Sequence, residues 1–499
     1  MSFTSRRRAG VVGVAALTVA ALVATGSSLE AEPATAAPAA APGLQLQLVW
    51  ERTLNSQAVS LGSPGVGDLD GQGPSVIVGT ISGMVHAMHA SDGTDVAGWP
   101  YQVKGIGIAS TPSTYTYPDA KGTRVYVGVG ISNAPSKGGY LGLKYNGTKA
   151  FYRTITLLPN GKGSPRGVMS SLAVGNLHTG VDVVGGAMGQ MQLAMSGSTG
   201  KSLPGFPWLM ADTNFSTPAV ARVRASNEKD FIIEGGDSTA GRSYAQTYPS
   251  GGHIRILRPT GNKGYKNPND GLVCELKTNQ VVQSSPAVGK FLADGKLGIV
   301  TGTGVFYKSR SDTNRVIAMD PYCTKKWSVL LDGDTRSSPA IADVQGDGKL
   351  DVVMMTRNGS VYALDGATGA TIWKRSLGNI VYGSATTFQA PNGNFQYILA
   401  PLQEGLYVLD GRDGSVVTKV GGMRLWSSAT VTRDPDGSIG ITIAGQGGKT
   451  SAGKPAANIE HYRVVGSNVE TVQTPGSWPM FHHDPQLTGL ADSLPAPPD

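Results

Sequence analysis

Between Ser337 and Gly378 the chain reads SSPAIADVQGDGKLDVVMMTRNGSVYALDGATGATIWKRSLG, and its apolar positions come in short bursts instead of at helical intervals. SPAIADV, LDVVMM, SVYAL and ATIWKRSL are bounded by Gly, Asp and Asn, the pattern of strands separated by tight turns. Asn358-Gly359 is a hairpin turn, since both residue types tolerate the positive φ that a two-residue connection needs; Gly366 and Gly369 flank a second turn. Four short antiparallel strands of this kind make one blade of a β-propeller.

The same unit recurs along the chain. Its opening strand returns as SPGVGD at Ser63, STPSTY at Ser110, SSLAVGN at Ser170, STPAVAR at Ser216, SSPAVGK at Ser284, SSPAIAD at Ser337, GSATTF at Gly383 and SSATVT at Ser427, eight copies spaced 44 to 68 residues apart. The third strand recurs as often, from GMVHAMHASDG in the first repeat to NIEHYRVVG in the last. Hairpins that cannot bury their faces alone do so by stacking, so the expected fold is all-β: a single eight-bladed propeller of four-stranded antiparallel blades. The segment LQLQLVWERTLN matches ATIWKRSLGN, with Trp50 at the place of Trp373 and Leu54 at that of Leu377. It reads as a fourth strand with no blade in front of it, while the eighth repeat reaches its third strand at Ile459 to Val465. Supplying that outer strand from the N-terminus would seal the ring and leave no open edge. Val469 to Thr474 is a competing outer strand; Ser477 to Gly489 is expected to pack over the closure.

Composition agrees with this pattern. Of 499 residues 69 are Gly, and only 15% are charged, below the roughly 25% of ordinary soluble domains. That excludes a coiled coil, a long-helix bundle and a charged disordered chain. Arg6 to Arg8 precede an apolar stretch from Val11 to Ala24 and a small-residue site at Ala34-Thr35-Ala36, the layout of a secretory signal peptide over 1–36. The stretch is short for a membrane span, and the choice between the Sec and Tat routes stays open. An Ala/Pro linker follows at 37–43, the propeller over 44–490, and a disordered tail over 491–499. The expected protein is therefore secreted, monomeric and without a stable membrane span. With 42 basic and 35 acidic residues and no dense Lys/Arg run, nucleic-acid binding is not expected. Cys274 and Cys323 read either as a disulfide or as two separate buried thiols.

Two family patterns are interleaved in these repeats. AIADVQGDGKLDVV resembles the FG-GAP or VCBS repeat, and GSVYALDGATGATIW resembles the repeat of propellers of the pyrroloquinoline-quinone (PQQ) type, with the tryptophan-docking spacing of Ala363, Asp365, Thr368, Gly369 and Trp373. The resemblance implies blade construction, with Trp373 wedged against the next blade. Eight-bladed quinoprotein alcohol dehydrogenases of that type use an adjacent Cys pair near the cofactor, which is missing here, so bound PQQ is not expected.

Asp343, Gln345, Asp347, the carbonyl of Lys349 and Asp351 follow D-x-Q-x-D-G-x-x-D, with Gly348 at the sharp turn. Alternate positions of a tight loop bring oxygens together, which suits a structural Ca²⁺; the competing reading is a solvated turn whose Asp side chains cap amides. The first repeat keeps a weaker version in Asp68 and Asp70, and the fifth retains only Asp294 and is expected to be metal-free.

Links from second to third strand, and from blade to blade, share one face of a propeller. Those second-to-third links are long in repeats four and five, bringing Arg242, Tyr244, Tyr248, Tyr307, Lys308 and Arg310 to one surface. Long loops on a rigid frame are where binding concentrates, aromatic faces suit sugar rings, and Arg suits carboxylate. The leading expectation is a binding protein for an extracellular glycan or protein ligand. The alternative is a polysaccharide lyase on acidic chains, in which His253, Tyr244, Tyr248, Arg242 and Arg310 would neutralise a carboxylate and remove the adjacent proton. A PQQ-dependent dehydrogenase is the third reading. His86 and His89 point to opposite faces of one strand, and His482, His483 and Asp484 form a polar cluster in the closing segment.

Overall fold

A computed structural model describes residues 44–492, except 120–121, 132–136, 157–164, 179, 188–190, 210–213, 225–228, 239–240, 244–245, 249, 263–270, 308–310, 379, 392, 470–471 and 473. The expected signal peptide and linker, and the end of the expected C-terminal tail, lie outside these residues. Eight antiparallel sheets follow one another in sequence. The sixth shows the basic unit: Ala340–Ala342 innermost, then Asp351–Met355, Ser360–Leu364 and Thr371–Ser376. Blade 2 adds a fifth strand, Pro165–Arg166, and blade 4 carries a separate hairpin of Gly241–Ser243 and Gln246–Tyr248. No helix among the described residues is long and apolar enough to cross a membrane.

The ring closes with a strand from the other end of the chain. Blade 8 is built from Thr430–Arg433, Ile439–Lys449 and Pro455–Val464, and its outer strand is Leu46–Gln57. Trp50 lies opposite His461 and Leu54 opposite Ala457. That outer place, which the alternative reading gave to Val469 to Thr474, is thus taken by Leu46–Gln57. Behind this seam Trp50, Leu54, Val76, Val78, Met88, Ala444 and Ile459 form one buried cluster that ties blade 8 to blade 1. Burial of apolar area, at about 25 cal/mol per Å², is the term that holds neighbouring blades together.

Tryptophans dock four of the blades onto the next, with the contact that the repeat spacing implies. Trp50 Nε1 donates to the Ala90 carbonyl (2.8 Å), Trp99 to Tyr145 (2.9 Å), Trp327 to Gly366 (2.8 Å) and Trp373 to Gly411 (2.6 Å). Gly369 must be glycine for two reasons. Its φ is +75°, and a Cβ there would stand 2.7 Å from the Trp327 indole.

The two cysteines form a disulfide, Cys274–Cys323, with Cα atoms 5.9 Å apart. It joins the outermost strand of blade 4, Leu272–Thr278, to the turn after Arg315–Met319 in blade 5, far from the ring axis.

Candidate functional site

Each innermost strand turns one edge toward the axis, and the amides on that edge need partners that no neighbouring strand supplies. A belt of hydroxyls meets part of this need. The opening motif of every repeat places one Ser or Thr at the axis, and each hydroxyl accepts the backbone N–H of its counterpart one blade back. Ser63 N–H donates to Thr111, Thr111 to Ser171, Ser171 to Thr217 and Thr217 to Ser285. Ser285 continues to Ser338, Ser338 to Ser384, Ser384 to Ser428, and Ser428 returns to Ser63. The eight bonds span 2.8–3.1 Å and close on themselves.

Three residues further along the inner strands, about 10 Å down the axis at the usual strand rise, the C-terminal segment takes over. Backbone N–H groups of Thr114, Val174, Val220, Val288, Thr387 and Val431 donate to the carbonyls of Pro485, Gln486, Thr488, Gly489, Trp478 and Pro479, all at 2.8 Å. In blade 6 Asp343 N–H donates to Gly476 at 2.9 Å instead. The segment therefore makes a circuit of the axis through blades 6, 7, 8, 2, 3, 4 and 5 in turn, and does more than cover the seam. Trp478, Met480, His482, His483 and Leu487 are each at most 2% exposed and fill this end. His482 is set between two backbone carbonyls, Leu487 at Nδ1 (2.7 Å) and Pro286 at Nε2 (3.0 Å), and burial pushes its pKa down. Ala491, assigned from sequence to a disordered tail, donates its N–H to Val288.

Above the belt the axis opens into a funnel of about 680 Å³, on the face that carries the second-to-third-strand and blade-to-blade links. Its wall carries Phe215, Phe306, Tyr307 and Tyr382 among apolar residues, with Asp237, Gln283, Asp334, Arg336 and Arg357 as polar groups. Below it lies a smaller space of about 140 Å³, reached by the belt hydroxyls and by Phe481 of the C-terminal segment. Gln280, fully buried, donates Nε2–H to the Tyr307 carbonyl (2.7 Å) and accepts the Tyr307 N–H (2.9 Å), which fixes the loop that presents Phe306. Asp334 binds the Arg336 guanidinium at 2.6 Å. Arg357 stacks on the Tyr382 ring (5.1 Å) and donates to its hydroxyl (3.0 Å), and it makes no ion pair among the described residues. A mixed wall of aromatic faces, donors and acceptors around a preformed cavity of this size is the general form of a small-ligand site.

Of the residues read from sequence as ligand-binding, Tyr307 lines this funnel. Arg242 and Tyr248 sit on the blade 4 hairpin, opposite Thr247 and Gly241, while Tyr244, Lys308 and Arg310 lie outside the described residues. His253 is not at the funnel. It is buried between blades 3 and 4, where Arg255 Nη1 donates to its Nε2 (2.9 Å) and Glu234 lies at 3.4 Å, and burial followed by the Arg255 charge pushes its pKa down. Asp434, His461 and Thr442 form a hydrogen-bonded chain (2.9 and 2.8 Å) that resembles an acid–base relay. His461 is fully buried inside blade 8 beneath the stacked Trp50 ring, so no substrate reaches it.

The calcium-type loop lies on the opposite face. Asp343 accepts the amides of Gly346, Asp347 and Gly348, and Asp347 accepts that of Lys349. The buried Oδ2 of Asp351 has no hydrogen-bond partner, and burial, with Asp347, Asp343 and Asp365 nearby, lifts its pKa to about 8. Among the described residues no group of three or more His, Cys, Asp or Glu side chains converges on a single point. The cysteines are joined to each other at the rim instead of standing as an adjacent pair at the axis.

No family model matches the chain, and no curated protein matches it in sequence. Solved structures do. BamB from Moraxella catarrhalis superposes with a TM-score of 0.50 at 13% identity, over 84% of this chain and 100% of that one. A quinohemoprotein alcohol dehydrogenase from Pseudomonas putida HK5 superposes with a TM-score of 0.53 at 14% identity, over 85% of this chain and 77% of that one. At such identities the likeness is one of fold alone: a β-propeller.

Proposed function

We propose that the protein is a secreted binding protein whose ligand, an extracellular carbohydrate or protein, enters the axial funnel. The observation that carries this reading is the funnel itself: about 680 Å³, aromatic on several sides, and holding in Arg357 a guanidinium without a carboxylate partner among the described residues. Export rests on Arg6 to Arg8 with the apolar stretch behind them and on the disulfide, a bond that persists in oxidising compartments. Binding is tested on a glycan array, and by pull-down from culture supernatant, with the protein and its Phe306→Ala/Tyr382→Ala double variant. A ligand retained by the former and lost by the latter supports the reading; one retained equally by both moves the site off the axis.

We also propose a structural Ca²⁺ at Asp343, Gln345, Asp347, the Lys349 carbonyl and Asp351. The partnerless buried oxygen of Asp351, with Asp343 and Asp347 nearby, supports a cation, while the amides that Asp343 accepts are those of the capped turn. Calcium added to chelator-treated protein should raise the melting temperature, and an Asp347→Asn variant should lose that rise. An unchanged melting temperature would remove the ion from the account.

A further inference from the structure

The funnel is closed at its inner end, and that decides what part of a ligand it can hold. Below the belt the axis is filled by Trp478, Met480, His482 and Leu487, so nothing threads through the ring. A linear polymer can enter such a space only by its end or by a pendant group. Resting on the binding reading above, we infer that the funnel recognises the terminal unit of a carboxylate-bearing saccharide chain, with Arg357 meeting the acid and the aromatic rim meeting the ring.

Three features select this chemistry. Arg357 is held in place by its stack on Tyr382 and by the bond to the Tyr382 hydroxyl, and it has no ion pair of its own among the described residues, whereas Arg336 is neutralised by Asp334. A fixed guanidinium next to an aromatic face presents a planar fork to a carboxylate. Phe306 is 67% exposed and meets Tyr307 edge-on at 5.0 Å, offering a free ring face to the apolar side of a pyranose. The remaining polar groups of the wall are mixed in sign: Asp334 and Asp237 can accept from hydroxyls, and Gln283 is held to Asp237 at 3.1 Å. That mixture suits a ligand with many hydroxyls and one acid. A poly-acidic peptide would bring several carboxylates to a wall whose described residues offer Arg357 as a cation without an ion pair and Arg336 already bound to Asp334.

The belt supports the assignment from below. Each of its eight hydroxyl oxygens accepts an amide N–H from the neighbouring blade, and none of the eight donates a hydrogen bond to a described protein group. Eight O–H groups are thus left for water or for ligand hydroxyls at the base of the funnel.

The test uses the full mature protein and galacturonate oligomers as the probe. In competition calorimetry, cleaving polygalacturonate into trimers multiplies the ends without changing the mass of uronate, so competition per unit mass should rise several-fold, and the trimer should bind as tightly per chain as the hexamer. Carboxyl-reduced trimer, and Arg357→Ala with the native trimer, should each bind at least tenfold more weakly, and Arg357→Lys should recover part of the loss. Affinity that climbs steadily with chain length would mean side-on binding and overturn the inference. So would equal binding of the neutral trimer, or preference for hexaglutamate. If a neutral saccharide or a protein binds and Tyr382→Ala abolishes it, the acid-terminus inference falls while the binding reading stands; if no ligand of any kind depends on the funnel, both fall.

Discussion

The two ends of the ring axis face the same difficulty and meet it differently. At the funnel end, inner-strand amides are satisfied by hydroxyls within the repeats, one per blade, so the solution is local and carried eight times by a short motif. At the other end the amides are satisfied by carbonyls of a single segment that is not part of any repeat. The local solution leaves the middle of the axis empty, and space for a ligand follows. The imported solution fills the middle, and the cavity becomes a dead end. A propeller can thus divide one axis between binding and stability.

The sharpest way to break this division is to remove the imported segment. Ending the chain at Thr474 strips partners from seven inner-strand amides and empties the space held by Trp478 and Leu487. The expected loss exceeds about 5 kcal/mol, comparable to the whole stability of many domains; denaturant unfolding, or failure to recover soluble protein, checks it.

Acid should act on the filled end and on the seam but not on the belt, which has no titratable group. His86, buried near Asp95 and Arg52 at the seam, has its pKa pushed down to about 4 by burial, and burial shifts His482 in the same direction. A histidine depressed in the folded state contributes stability above its unfolded pKa of about 6.5 that is lost as pH falls toward the folded value. Stability should therefore decline between about pH 6.5 and 4, by about 3 kcal/mol from His86 alone at 1.36 kcal/mol per pH unit. Urea midpoints across that range measure the decline, and His86→Gln should flatten it.

Thr217→Val keeps the shape of one belt position and removes the acceptor for the Ser171 amide. It should cost about 1–3 kcal/mol, while Thr217→Ser restores most of that, as read from thermal or urea unfolding. The smallest effect is expected at the funnel wall. Arg357→Ala should change stability by less than about 0.5 kcal/mol while weakening ligand capture, which would separate binding at the funnel from folding at the filled end.

The repeats announce the ring because each blade must solve the same packing problem with the same residues; the Trp373 and Gly369 spacing and the match of Trp50 to Trp373 carry the docking and the closing strand. The belt was also written in the sequence, in the second Ser or Thr of motifs such as SSPAIAD, but its role depends on blades being neighbours in a circle. The circuit of the C-terminal segment left no such trace, because it bonds through backbone carbonyls that any residue supplies. The funnel was legible only as a face. Tyr307 was found by loop length, whereas Arg357 and Tyr382 sit on short links that gave no signal. Asp434, Thr442 and His461 lie at irregular spacing within blade 8 and come together only through its strand pairing.

Because the first described strand completes the last blade, and residues 476–491 encircle the axis, neither terminus of the propeller can be spared. Synthesis must pass Gly489 before both closures can form, and a polypeptide that stops short of Pro455–Val464 would remain an unsealed arc with its strand edges bare. Completeness of synthesis is thereby built into the architecture as a condition for reaching a durable native state.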